Sequence, residues 1–261
     1  ALVLIIGEID LSVGSVAGFS GLLFVIWSNH IGSVPAFIAA IAVSCLIGLF
    51  NGLIITRTEV PSLIQTLGMT LFLRGFIYVI TGGFVTSFDK VTPLLELLSG
   101  KIFGVFYTSI IWFVLIAILF TVVLDLTVYG NRIFAVGGNR QVARALGISV
   151  DRIRLTVFVL CAALAGFAGC VMAARFRTVA ATTGAQMELE AIASAVMGGC
   201  LLTGGYGSIP GPCIGALLIS SVGSGLVLAG APAYWYQAFI GIVLVLASIV
   251  NLNVVRRVVA R

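Results

Sequence analysis

The stretch PAFIAAIAVSCLIGLFNGLIIT (35–56) decides the fold class, because it is long, apolar and free of charged residues. A transmembrane helix needs about 20 consecutive, mostly apolar residues. The whole chain of 261 residues is 61% hydrophobic and only 9% charged, and its mean hydropathy is +1.23. Soluble domains carry roughly 25% charged residues. This composition excludes a soluble globular enzyme, a disordered chain and a disulfide-stapled secreted module, and it predicts a membrane protein.

Similar apolar runs recur along the chain and predict about eight membrane spans. They are Val13–Trp27, Pro35–Thr56, Leu63–Thr81, Thr108–Leu126, Leu155–Ala174, Ala191–Leu202, Pro212–Ala229 and Trp235–Leu252. We therefore predict an all-α fold, a polytopic transmembrane helical bundle that forms a single domain over residues 1–261. The chain opens on the apolar residues ALVLII, so we expect that it begins inside a helix and that further N-terminal spans precede it.

Two of these runs are short, and both adjoin a glycine-rich segment. The segments are GEIDLSVGS (7–15) and TGGYGS (203–208). Glycine inside a helix costs about 1 kcal/mol relative to alanine. We predict that neither Gly7–Ser15 nor Thr203–Ser208 is continuous α-helix. Short, glycine-interrupted spans in transporters mark the transport path, whereas a plain cytoplasmic turn is the alternative for each segment.

The basic residues predict the orientation, because cytoplasmic loops carry an excess of Lys and Arg. Five arginines lie in Tyr129–Arg154 and three in the C-terminal tail: Arg132, Arg140, Arg144, Arg152, Arg154, Arg256, Arg257 and Arg261. Four predicted spans separate the two groups, so both can lie on the same side. We expect that side to be the cytoplasm, in a multi-pass protein of a bacterial plasma (inner) membrane.

The cytoplasmic loop YGNRIFAVGGNRQVARALGISVDRIR (129–154) predicts a short helix. We expect Gly137-Gly138 to interrupt the chain, Asn139 to cap the new helix and Gly147 to end it. Val142 and Leu146 are four residues apart and share one face with Ala143, while Arg140 and Arg144 lie on a neighbouring face. Such a helix is marginal alone in water, so it suits a knob that docks into another protein. An ordinary basic loop is the alternative.

Polar side chains inside the apolar runs are candidates for the solute path, because ionisable groups at membrane depth are costly and usually functional. The candidates are Glu8, Asp10, Asn51, Gln65, Glu188 and Glu190. Each also has a structural interpretation, as a helix cap or as a residue at interfacial depth. Arg74 lies within a predicted span, where its long side chain can reach the interface.

Several kinds of chemistry lack the residues they need. There is no G-x-x-x-x-G-K-[ST] motif for nucleotide phosphates, and His30 is the only histidine. The five cysteines lie in apolar stretches without a CxxC pair, so neither a metal site nor a disulfide framework is predicted. We expect no catalytic residues, no cofactor and no nucleic-acid partner. Besides membrane lipid, the partners should be proteins and a small solute.

Four stretches in family order resemble the permease subunit of sugar-type ABC importers, the ribose/xylose/galactose class of the branched-chain amino acid/sugar permease superfamily. GEIDLSVGSVAG (7–18) is similar to G-G-I-D-L-S-V-G-S, with Glu8 in place of the second glycine. The others are NGLIITRTEVPSLIQTLGM (51–69), GGNRQVARALGISVDR (137–152) and ELEAIASAVMGGCLLTGGYGSIPG (188–211). In the third, Val142 and Leu146 replace an alanine and a serine of the family pattern.

The resemblance implies a permease that imports a sugar with energy from a separate cytoplasmic ATPase, which binds ATP and Mg. It also implies a second permease subunit, identical or different, and an external solute-binding protein. Carried over to this sequence, Asn139, Ala143, Arg144 and Gly147 belong to the ATPase-docking loop, and Val142 and Leu146 add its apolar contacts. The solute stays open among pentoses, hexoses, other polyols, nucleosides, riboflavin and a quorum-signal sugar.

Two other functions remain open from the residues alone. In an ion- or proton-coupled secondary transporter, Glu8, Asp10, Glu188 and Glu190 would be the coupling carboxylates. A membrane scaffold without transport is the other, although the glycine-rich breaks and the polar residues within spans disfavour it.

Overall fold

The computed structural model describes residues 1–58, 60–232 and 234–259, with the backbone alone for 251–259. Helices dominate it, as predicted for a helical membrane bundle. They are α1 (Leu2–Ile5), α2 (Val13–Ile31), α3 (Ser33–Arg57), α4 (Ser62–Thr81), α5 (Pro93–Ser99), α6 (Thr108–Leu126), α7 (Val128–Gly138), α8 (Arg140–Ala145), α9 (Val150–Phe176), α10 (Met187–Met197), α11 (Pro210–Leu228) and α12 (Tyr234–Val259). The tail arginines Arg256, Arg257 and Arg261 lie outside the described side chains.

Five helices of the described chain are long and apolar enough to cross a membrane: α3, α4, α6, α9 and α11. The apolar part of α12, Tyr234–Val250, is shorter. The predicted span Val13–Trp27 lies within α2. The prediction of a helix over Ala191–Leu202 is wrong, because α10 ends at Met197. Gly199 then adopts a φ of +88°, which favours glycine and stops the helix.

Both glycine-rich segments interrupt the helices as predicted. The chain is non-helical from Ile6 to Ser12, so only the last three residues of Gly7–Ser15 are helical. The second interruption runs from Gly198 to Ile209 and includes Thr203–Ser208. Gly7, Gly204 and Gly205 all have φ between +72° and +85°. These positions therefore require the left-handed backbone that only glycine adopts readily.

Among the described residues, four two-residue strands, which the all-α prediction did not include, lie in two small sheets. β1 (Thr86–Ser87) pairs antiparallel with β4 (Thr178–Val179), and β2 (Lys101–Ile102) pairs antiparallel with β3 (Phe106–Tyr107). Beside β4, the Arg177 guanidinium donates to the Glu96 carboxylate over 2.5 Å. The segment 82–107 is thus ordered by strand pairs and an ion pair. The partners of β1 and of Glu96 lie about 80 to 90 residues away in the sequence, too far for a local pattern to reveal, whereas β2 and β3 form a local hairpin.

The chain divides into two compact units, each built from separate stretches of sequence. One comprises 1–8, 117–153 and 188–261, and the other comprises 9–116 and 154–187. In the second unit, glycines bring helices into backbone contact: a Cβ on Gly48 would lie 2.6 Å from the Phe158 carbonyl oxygen, and one on Gly21 would lie 2.8 Å from that of Gly169. Small residues at such contacts allow transmembrane helices to pack closely.

Candidate functional site

Helix α8 is capped at both ends by the residues that the sequence singled out. The Asn139 side-chain oxygen accepts hydrogen bonds from the backbone N–H of Gln141 (2.9 Å) and Val142 (3.1 Å). At the other end, Gly147 has a φ of +79°, and its N–H donates to the Arg144 carbonyl. Local sequence therefore fixes the limits of this six-residue helix.

Gly137 and Gly138 do not interrupt the chain, so that part of the prediction is wrong. Helix α7 runs through both glycines, and the interruption falls at Asn139. At Gly137 the absence of a side chain serves packing instead. A Cβ there would overlap the Ile5 carbonyl oxygen and lie 2.7 Å from the Gly205 nitrogen.

The glycines of three distant motifs meet in one place, which we call the glycine junction: Gly7, Gly137, Gly204 and Gly205. The Gly205 N–H donates to the Ile5 carbonyl over 2.8 Å. A Cβ on Gly204 would lie 2.7 Å from the Gly7 nitrogen and 2.9 Å from the Gly137 oxygen. The two interruptions and the C-terminal end of α7 are therefore in direct backbone contact.

The apolar residues of α8 do not share one outward face. Ala143 is 1% exposed and is buried within the chain, whereas Val142 and Leu146 are 55% and 73% exposed. The prediction that all three present one face to a partner is corrected for Ala143. Its small side chain holds α8 against the rest of the chain, and its two larger neighbours remain on the surface.

Both arginines of α8 have partners in the same chain. The Arg140 guanidinium contacts the Glu8 carboxylate at 2.7 Å, and that carboxylate is 6% exposed. Arg144 contacts Asp151 at 3.1 Å, where both side chains are more than half exposed. Glu8, predicted for the solute path, therefore lies beside the loop predicted for docking.

Three of the predicted path residues form one hydrogen-bonded chain through a residue that was not predicted, Ser12. Gln65 Nε2 donates to Asn51 Oδ1 (3.2 Å), and Asn51 Nδ2 donates to Ser12 Oγ (3.2 Å). Ser12 Oγ in turn donates to Asp10 Oδ1 (2.6 Å), which also accepts from the Ser12 N–H (2.8 Å). Asp10, Ser12 and Asn51 are buried. Asp10 therefore holds the turn that leads into α2.

A ladder of hydroxyl groups on α4 supports the non-helical backbone of 9–11. Ser62 Oγ accepts from the Ile9 N–H (3.2 Å), and Thr66 Oγ1 accepts from the Leu11 N–H (3.0 Å). Thr70 Oγ1 donates to the Leu11 carbonyl (2.7 Å). Non-helical backbone at membrane depth needs such partners within the protein. The regular spacing of four residues was a readable signal, which the sequence analysis missed.

The remaining polar candidates lie elsewhere. Glu188 and Glu190 are on the first turn of α10, where carboxylates interact favourably with the helix dipole. Arg74 donates to the Thr183 carbonyl over 2.8 Å and so secures the loop between β4 and α10. In the part of the chain that the structure describes, no group of three or more His, Cys, Asp or Glu side chains could hold a metal ion.

Comparison with known proteins gives the same family as the motifs. Residues 1–248 match a family described as the branched-chain amino acid transport system / permease component. The chain belongs to this family. It is 35% identical over 250 residues to the L-arabinose ABC transporter permease protein AraH of Azospirillum brasilense, covering 94% of this chain and 72% of that protein.

Other relatives have the same type of name. The chain is 34% identical to the probable ABC transporter permease protein YphD of Escherichia coli, over 98% of this chain and 77% of that one. It is also 34% identical to the autoinducer 2 import system permease protein LsrC of Salmonella paratyphi B, over 93% of this chain and 70% of that protein. No solved structure matches.

The family match and the relatives together show what the chain is. It is a multi-pass permease subunit of an ABC importer and not an enzyme. Such permeases work with ATPase and solute-binding partners.

Proposed function

We propose that this chain forms the translocation path for a monosaccharide or a related small polar solute. The names of its relatives, which include an L-arabinose permease and an autoinducer 2 import permease, support a sugar-type solute. A second permease subunit completes the path, an external binding protein delivers the solute, and a cytoplasmic ATPase binds ATP and Mg. The protein lies in a bacterial inner membrane with its C-terminus in the cytoplasm.

The ATPase docks on α8, and the exposure of Val142 and Leu146 on that capped helix is the observation that carries this proposal. Six residues are too few for a helix that is stable alone in water. Here the Asn139 cap and the burial of Ala143 hold the helix in shape before any partner binds. The two exposed apolar side chains then contribute binding energy of roughly 25 cal/mol for each Å² that they bury.

Charge placed on this surface tests the docking. We expect Val142→Glu and Leu146→Glu each to remove the ATPase from the affinity-purified complex, because a carboxylate buried without a partner opposes binding strongly. The amount of permease in the membrane should not change, since both side chains are exposed in the chain itself. Quantitative mass spectrometry of the purified complex measures the ratio of ATPase to permease.

Gln141→Glu is the matched control, because it adds the same charge to the same helix at an exposed position outside the apolar pair. It should keep the ATPase at the wild-type ratio. Ala143→Glu is a weaker test, since Ala143 is buried within the chain and its substitution would damage the loop itself. A wild-type ATPase ratio in both the Val142→Glu and the Leu146→Glu complexes would contradict docking at α8.

A further inference from the structure

The ion pair between Glu8 and Arg140 joins two segments that are 132 residues apart in the sequence. Arg140 lies on the first turn of α8, and Glu8 lies in the non-helical segment between α1 and α2. The same guanidinium nitrogen lies 3.4 Å from the Ile6 carbonyl oxygen and 3.3 Å from that of Gly7. One arginine therefore holds both the carboxylate and the backbone of the interruption.

This contact differs in kind from the other ion pair of α8. Arg144 and Asp151 are seven residues apart, and both side chains are exposed to solvent. Exposed pairs of that kind contribute little to stability. The Glu8 carboxylate, in contrast, is almost wholly buried, and removing one partner of a buried ion pair is far more costly than removing one partner of an exposed pair. Glu8 also stands where the resembled motif has glycine.

The glycine junction supplies a second, independent link between the same elements. The Ile5 carbonyl, at the end of α1, accepts from Gly205 and closely approaches Gly137, at the end of α7. The glycines place no side chain between these backbones, so α1, the end of α7 and the 198–209 interruption pack directly against one another. The ion pair adds α8 to this group.

We propose that Glu8 and Arg140 are positioning residues that transmit movement of α8 to the 6–12 interruption during the ATP-driven cycle. The inference rests on the proposed docking of the ATPase at α8. A shift of α8 would pull on Glu8 and on the carbonyls of Ile6 and Gly7. Residues 8–11 lie between α1 and α2 and belong to neither helix, so this part of the interruption can respond without unfolding a helix.

A cysteine reporter in the interruption tests this proposal without a known solute. Leu11→Cys is placed in a chain whose five native cysteines are replaced, and the complex with its ATPase is reconstituted in lipid nanodiscs. Leu11 is half-buried, and its backbone bonds to α4 do not involve its side chain. The rate of maleimide labelling is measured without nucleotide and with ATP plus vanadate.

We expect nucleotide to change the labelling rate at least threefold in the reporter chain and in the Asp151→Asn control. Glu8→Gln and Arg140→Gln should lose that change while the ATPase remains bound at the wild-type ratio. Arg140→Lys, which keeps the charge, should retain part of it. The proposal would be overturned if nucleotide did not change the labelling rate of the reporter chain. It would also be overturned if nucleotide changed the labelling rate of Glu8→Gln as much as that of the reporter chain.

The readouts separate this inference from the proposed function. If the ATPase is absent from the complex of the reporter chain itself, docking at this permease fails and the inference fails with it. If the ATPase is bound but the Glu8→Gln chain responds normally, only the transmission through the ion pair is wrong. If Glu8→Gln is unstable in the membrane, Arg140→Lys and Arg140→Gln are compared instead. An equal nucleotide-dependent change in the labelling rate of these two variants would contradict transmission through the ion pair.

Discussion

At the scale of single residues, the adjacent glycines Gly137 and Gly138 differ in the space around them, since the first is tightly packed and the second is open. Gly137 and Gly138 are adjacent and both helical, yet a Cβ on the first would overlap the Ile5 carbonyl, whereas one on the second would meet nothing within 4 Å. The sequence shows two equivalent glycines, and it suggested a break at both. Only the packing of α1 against α7 distinguishes them, because the atoms concerned belong to residues far apart in the sequence.

Alanine substitution at these two positions should therefore give opposite results. Gly137→Ala should lower the free energy of unfolding by about 1–3 kcal/mol or more, because backbone atoms cannot move aside as a flexible side chain can. Gly138→Ala should be neutral or slightly stabilising, since alanine restricts the unfolded chain. The thermal midpoints of both purified variants in detergent measure the difference. Equal midpoints would contradict the close contact at the glycine junction.

The residues of the candidate site differ in how well sequence predicts them. The capping roles of Asn139 and Gly147 were predictable, because each depends on amide and carbonyl groups within a few residues. The partner of Arg140 was not, since Glu8 is 132 residues away. The burial of Ala143 was likewise hidden, because helical spacing shows which residues share a face but not which face packs inward.

At the scale of elements, the interruption before α2 depends on α4. Three hydroxyl groups at Ser62, Thr66 and Thr70 replace the hydrogen bonds that a continuous helix would have made through 9–11. Long apolar runs predicted the helices correctly because their length alone specifies a span. The two-residue strands and the early end of α10 escaped prediction, since strand pairing and left-handed glycines depend on contacts outside the run.

Removal of one hydroxyl from this ladder should weaken the interruption. Thr66→Val keeps the shape of the side chain but leaves the part-buried Leu11 N–H without its acceptor. Loss of one hydrogen bond costs about 0.5–1.5 kcal/mol, so the thermal midpoint should fall. Thr121→Val is the matched control, because the Thr121 hydroxyl bonds only to the Ala117 carbonyl of its own helix. If the thermal midpoint of Thr121→Val fell as far as that of Thr66→Val, the role of the ladder would be contradicted.

At the scale of the whole molecule, the fold class followed from composition, and the family followed from four motifs that recur in order along the chain. The family match over residues 1–248 confirms both. The two units could not be predicted, since each is assembled from separate stretches of sequence. Two of the four carboxylates that a secondary transporter would use have partners in the chain: Glu8 pairs with Arg140, and Asp10 accepts hydrogen bonds from Ser12.

A measurement of the energy source for transport is therefore the most direct test that the chain is the permease of an ATP-driven importer. The permease, its co-purified ATPase and the binding protein are reconstituted in vesicles, and uptake of a panel of radiolabelled pentoses and hexoses is measured. We predict that uptake requires ATP hydrolysis, stops when the ATPase is omitted, and is unaffected by a protonophore or by collapse of the sodium gradient. Uptake that persists without the ATPase and disappears with the ion gradient would contradict the account.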